Sequence, residues 1–117
     1  MRLLWSFRNA FRGLWQVLGR ERNARIHLLA ATVALVAAGL AHLDRAEVGL
    51  VVLAIALVVC AEIFNSVVEQ VLDLLHPEHS QRVRVIKDAS AAAVLVAALG
   101  AAALAGVLFG PRLVGRP

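Results

Sequence analysis

Five polar side chains that could do chemistry share one short stretch of this chain. They are Glu62, Asn65, Ser66, Glu69 and Asp73, set in Cys60-Ala61-Glu62-Ile63-Phe64-Asn65-Ser66-Val67-Val68-Glu69-Gln70-Val71-Leu72-Asp73. At about 100° per residue they form a helical stripe roughly 100° wide, with Val, Ile, Leu and Phe on the opposite face. The stretch lies in an apolar run that opens at Val48 and closes at Leu75. A carboxylate inside a membrane-length helix costs roughly 2.5–3.5 kcal/mol on insertion scales, so two on one stripe need a reason. Glu62 and Glu69 are seven residues apart, which is about 10 Å along a helix axis.

Acids at two depths suit a meeting between an aqueous and a lipid reactant. The outer ones, Glu69 with Glu21 and Asp73, could share a hard cation such as Mg²⁺, which takes one or two carboxylates and fills its remaining positions with water and phosphate. Lys87 would steady a phosphate as a point charge. Glu62, seated deeper, is placed to act as a general base toward a hydroxyl dissolved in the bilayer. That chemistry is phosphoryl transfer to a lipid alcohol. No G-x-x-x-x-G-K-[ST] loop and no protein-kinase motif set is present, so a nucleotide would be held in another way. On the residues alone, a small oligomeric proton or cation pathway stands level with phosphotransfer, because intramembrane Glu also marks transporters and relays.

The elements that must carry these groups are membrane elements. Of 117 residues 61% are hydrophobic and only 17% charged, with a mean hydropathy of +0.78. A soluble domain of that length has too small an interior to hide so much apolar side chain. The single cysteine, Cys60, excludes an intramolecular disulfide. The net charge of +4 would suggest nucleic acid in a soluble protein, but the arginines flank apolar spans and so face anionic headgroups instead. Residues 1–20 read as an amphipathic surface helix, uncleaved because Arg8 and Arg12 interrupt any signal-type core. Residues 26–43, 48–75 and 89–110 read as three transmembrane helices in a single domain, 1–117, with a basic loop from His76 to Asp88. Asp88 has two readings, as the N-cap of the third span or as a nucleotide contact. Glu21 is the only acid in the first 43 residues, and on its own it reads as an ion-pair partner for Arg22 or Arg25. Ala30, Ala34 and Ala38, and Ala102, Gly106 and Gly110, form small-residue rows suited to close helix packing. His27, His42, His76 and His79 have no metal-ligand spacing and read as interfacial. Nine of the twelve Lys and Arg residues fall in the N-terminal segment and the 76–88 loop, which puts the N-terminus and the acids on the cytoplasmic side.

The same residues carry a family resemblance. Ala61 to Asp73 resembles the E-[IL]-x-N-[ST]-x-[IV]-E-x-x-[IV]-D signature of the small prokaryotic integral-membrane diacylglycerol kinase and undecaprenol kinase family. Ser6-Phe7-Arg8-Asn9-Ala10-Phe11-Arg12-Gly13 resembles its S-F-[KR]-x-A-x-x-G opening, and Glu21-Arg22-Asn23-Ala24-Arg25-Ile26-His27 its E-R-N-x-R-I-H segment. Pro77-Glu78 and Lys87-Asp88 follow at the family's spacing, so the likeness spans about residues 6–110. It departs at His79-Ser80, where the family usually has Tyr-His, and at Asn9, where many members carry Tyr. The resemblance implies an all-α membrane homotrimer with active sites shared between subunits. It implies Glu62 as the base and Asn65 as the residue that orients Glu62 or the acceptor. Glu21 and Glu69 would hold the Mg²⁺ of MgATP; Lys87, Asp88, Arg8 and Arg12 would contact the nucleotide. The implied activity is ATP-dependent phosphorylation of a membrane alcohol in the bacterial inner membrane, feeding phospholipid or cell-wall lipid-carrier recycling. The Glu-Arg-Asn-x-Arg-Ile-His form resembles the undecaprenol kinase branch more than the diacylglycerol branch.

Overall fold

The computed structural model describes residues 1–115 and is helical almost throughout. Four helices follow in order: α1 Arg2–Arg20, α2 Arg22–Leu40, α3 Arg45–Leu75 and α4 Gln81–Leu113. The last three are long and apolar enough to cross a membrane. α3 is central. α2 and α4 pack on it, and α1 rests more sparsely on α2 and α3. The molecule is only 19 Å thick, less than two helix diameters with side chains, so there is no deep interior.

The α2–α3 seam follows from side-chain size. The buried residues of α2 are Ala24, Ala31 and Ala38; on α3 they include Val51, Val58, Asn65 and Leu72. Each set repeats every seven residues, the period of a shallow left-handed crossing. Alanine on one side lets the backbones approach, and valine or leucine on the other fills the gap. Ala31→Leu should therefore cost about 1–3 kcal/mol by overpacking this seam. Thermal unfolding in detergent measures it, with lipid-facing Leu29→Ala as the control. An unchanged midpoint for Ala31→Leu would remove the seam.

Of the small-residue rows expected from sequence, Ala38 is buried in this seam and Ala34 is half-buried, but the rest are not packed within this chain. Ala30 and Ala102 are exposed, and a methyl added at Gly106 or Gly110 would meet nothing within 4 Å. Spacing by four marks a smooth ridge, whereas the antiparallel seam selects positions spaced by seven.

The turns are locally encoded. Ala41, His42 and Leu43 donate their N–H groups to the carbonyls of Ala37, Gly39 and Ala38, closing the C-terminus of α2 with His42 at φ 54°. This is a left-handed cap of the kind that glycine usually fills. Asp44 then caps α3 with a reciprocal Glu47 bond, each at 2.9 Å. α3 stops at Leu75 because Pro77 cannot continue it.

Several helix bounds differ from the spans expected: α2 runs Arg22–Leu40 where 26–43 was expected. The second span starts at Arg45 rather than 48. The basic segment read as a loop to Asp88 is in large part the start of α4, opened by Ser80, whose Oγ accepts from the Val83 N–H at 3.2 Å. Arg and Lys are good helix formers, so their charge marks the membrane edge and not the helix end. Asp88 consequently lies well inside α4 and is not an N-cap. At the other end α4 runs through Pro111 to Leu113. There Arg112 donates to Glu47 at 3.0 and 3.2 Å, tying the end of α4 to the start of α3.

Candidate active site

Glu21 is the one residue between α1 and α2. Its extended backbone (φ −100°, ψ 114°) breaks the helix and turns its side chain toward α3. Arg25 does not pair with it; that guanidinium donates instead to the carbonyls of Leu18 and Gly19, at 3.1 and 3.2 Å, closing the end of α1. Glu21 Oε1 accepts from Ser66 Oγ at 3.2 Å. Ser66 in turn accepts from Gln70 Nε2 at 3.1 Å, and Gln70 Oε1 accepts from Arg20 at 3.3 Å. This relay pins the α1–α2 break to the C-terminal half of α3. Ser66 is fully buried, so its hydroxyl works only because both neighbours are in place.

Along the same face Asn65 Nδ2 donates to Glu69 Oε1 at 3.5 Å, a long bond. Asn65 Oδ1 is buried with no donor among the described residues. Deeper still, Glu62 is 2% exposed, and neither carboxylate oxygen has a hydrogen-bond donor among the described residues. The nearest basic group is His27 Nε2 on α2, 3.6 Å from Oε2, longer than a hydrogen bond. Glu21 and Glu69 are its acidic neighbours. A buried carboxylate without donors is unstable as it stands and calls for a proton, a substrate group or a partner.

Lys87 and Asp88 stand at the same end of the bundle, on the first turns of α4. Lys87 Nζ lies 2.7 Å from Asp73 Oδ1, one turn beyond Glu69 on α3. Asp73 is largely exposed, so this pair orients Lys87 more than it stabilises the fold. Lys87, Asp88, Arg84, His79 and Ser80 line one open depression. Arg8 and Arg12 are not brought to the acids in this chain. Arg8 stacks over Trp5 at 4.0 Å, and both arginines border a shallow hollow on α1 with Phe11 and Trp15. Ser66, Gln70 and His27 are the participants that sequence reasoning left without a role. Ser66 and Gln70 stand on or beside the stripe, and His27 closes the Glu-Arg-Asn-x-Arg-Ile-His segment, a local signal that carries no role by itself.

A magnesium ion would need carboxylate oxygens that the chain's own hydrogen bonds leave open. Glu21 and Glu69 each keep one carboxylate oxygen outside these hydrogen bonds. Among the described residues no three His, Cys, Asp or Glu side chains form a cage, the arrangement a zinc-type site would need. Magnesium at phosphate sites uses one or two carboxylates and leaves the rest to water and phosphate.

Fold and site together define a multi-pass helical membrane protein with a buried acid cluster at one end and a basic helix start beside it. Residues 8–109 match the family described as prokaryotic diacylglycerol kinase. The chain is 35% identical over 113 residues to the diacylglycerol kinase of Synechocystis sp., an alignment covering 96% of this chain and 65% of that protein. It is 32% identical over 112 residues to the undecaprenol kinase of Bacillus subtilis, covering 96% of this chain and 91% of that one. The chain belongs to the prokaryotic diacylglycerol kinase family. Membership lends no support to the ion-pathway reading.

Proposed function

We propose that the protein is an ATP-dependent lipid kinase that transfers the γ-phosphate to the hydroxyl of a membrane alcohol, undecaprenol before diacylglycerol. The observation that carries this is Glu62, a carboxylate buried at membrane depth with no donor among the described residues and two further acids nearby. The undecaprenol preference is supported by the near full-length alignment with the Bacillus subtilis protein, together with the Glu-Arg-Asn-x-Arg-Ile-His segment.

In this reading Glu62 takes the proton of the lipid hydroxyl as its oxygen bonds to the γ-phosphorus and the bond to the β-phosphate breaks, releasing ADP. Asn65 Oδ1, without a donor among the described residues, accepts from the acceptor hydroxyl and holds it near Glu62. Glu21 and Glu69 would hold Mg²⁺, which when bound neutralises phosphate charge. Lys87, aimed by Asp73, and Asp88 contact the nucleotide from α4, with Arg8 and Arg12 supplied from α1, the amphipathic helix on the membrane surface. α4 buries only Val83 and Leu108 along its 33 residues, leaving most of its surface for lipid or for other copies. A homotrimer in the bacterial inner membrane, N-terminus and site facing the cytoplasm, would bring those arginines toward a neighbour's acids.

The test is a side-by-side acceptor assay. Purified protein in mixed micelles with γ-labelled ATP and Mg²⁺ is expected to label undecaprenol faster than diacylglycerol. Faster labelling of diacylglycerol would reverse the acceptor order. Labelling of neither, with ion flux in liposomes, would overturn the kinase reading.

A further inference from the structure

The contact between His27 and Glu62 is used by nothing described so far. His27 stands two residues past Arg25, where the polar α1–α2 junction gives way to the apolar part of α2. Its Nε2 faces Glu62 Oε2 at 3.6 Å; its side chain is 21% exposed, against 3% for Glu62. It also borders a groove of about 280 Å³ between α2, α3 and α4, walled by Ala30, Ala34, Ala54, Ala98 and Ala101. His27 therefore touches both the sealed carboxylate and open space. The other charged groups facing Glu62 are acids: Glu21 from the α1–α2 junction and Glu69 from α3 itself, with none from α4 among the described residues.

A base buried this deeply has a problem after each turnover. The proton taken from the lipid hydroxyl must leave before the next acceptor arrives, and neither Glu62 oxygen has a hydrogen-bonded partner among the described residues to pass it to. Glu21 and Glu69 are assigned to the cation. An imidazole is the one neighbouring group that can accept a proton near neutral pH and release it again. The His27–Glu62 distance is the slightly long one expected of a proton-transfer pair before substrate tightens it.

We propose that His27 is a positioning residue for the phosphotransfer reaction, holding Glu62 in place and carrying its acquired proton to the polar junction. The proposal rests on the lipid-kinase reading. The proton balance is closed: the hydroxyl O–H breaks as the O–P bond forms, and the proton passes to Glu62 Oε2 and then to His27 Nε2. The resulting imidazolium gives it to water at the junction, restoring both groups.

Wild type, His27→Ala and His27→Gln are assayed in parallel with MgATP and the acceptor lipid. His27→Ala should lower kcat by about 10- to 100-fold with KM for MgATP little changed. Added imidazole, free to enter the space beside the groove, should restore at least about threefold of that loss, because it supplies the missing proton carrier. Imidazole should not rescue Glu62→Gln. His27→Gln, which fills the site but cannot titrate, should displace or abolish the acid limb of the kcat/KM profile, since that limb belongs to the coupled pair. His27→Gln with wild-type turnover and profile overturns the proposal. So does a loss that imidazole does not restore and that leaves the profile's shape unchanged, the pattern of a merely structural contact. Should His27→Ala fail to fold, the His27→Gln profile decides alone. A wild type that phosphorylates no lipid points instead to failure of the kinase reading itself.

Discussion

Glu62→Gln is expected to lower turnover by roughly 10²–10⁴-fold while leaving MgATP affinity within about threefold of wild type, the signature of losing a general base. Glutamine keeps the side chain's shape and removes only its capacity to take a proton. The native carboxylate is 2% exposed and without a donor among the described residues, so the substitution breaks no hydrogen bond in the chain. Folding should survive, and stability should hold or rise, because a poorly satisfied buried charge is replaced by a neutral group. Single-turnover labelling separates this from a binding defect, since transfer slows even with nucleotide saturating. Turnover at the wild-type rate would take the role of base away from Glu62.

The second large effect concerns the outer acids. Glu69→Gln and Glu21→Gln should each raise KM for MgATP by about 10-fold or more, equivalent to about 1.4 kcal/mol, with a matching increase in the Mg²⁺ needed for half-maximal rate. The cause differs from Glu62: these carboxylates bind a cation that exists only with the nucleotide, so affinity falls before chemistry does. The two substitutions should combine less than additively, because they serve one ion and both border the Ser66–Asn65 face of α3. The same substitutions test the relay. Glu21→Gln keeps an oxygen for Ser66 to donate to, so a drop in thermal stability as large as the loss of affinity would assign Glu21 to structure instead. Titrating Mg²⁺ at fixed ATP gives the answer, and an unchanged dependence in both variants would count against the metal assignment.

Much of this protein is legible in its local pattern. The polar stripe on α3 stands out because helical period and membrane cost act together: acids so expensive must share a face, and the 3.6-residue repeat shows that they do. The stop before Pro77 follows from backbone sterics. The three long apolar helices follow from hydrophobic run length. The start of α4 is not legible from charge: a cluster of Arg and Lys resembles a loop, whereas helix formation depends on the Ser80 cap and on propensity, to which those charges are no obstacle. The ion pair expected at Glu21 failed for a related reason. Nearness in sequence to Arg22 and Arg25 counted for less than the single extended residue that turns Glu21 toward Ser66.

What the chain determines by itself, then, is which side chains share a face of each helix, since periodicity is a property of one segment. Which faces meet was decided only in three dimensions. Alanines every seven residues on α2 are buried where α2 packs on α3, as are Val51, Val58 and Asn65 on α3, and that register sets His27 over Glu62 across a seam between residues 35 positions apart. Helix register depends on the fit of two surfaces at once, and no single stretch of sequence contains both.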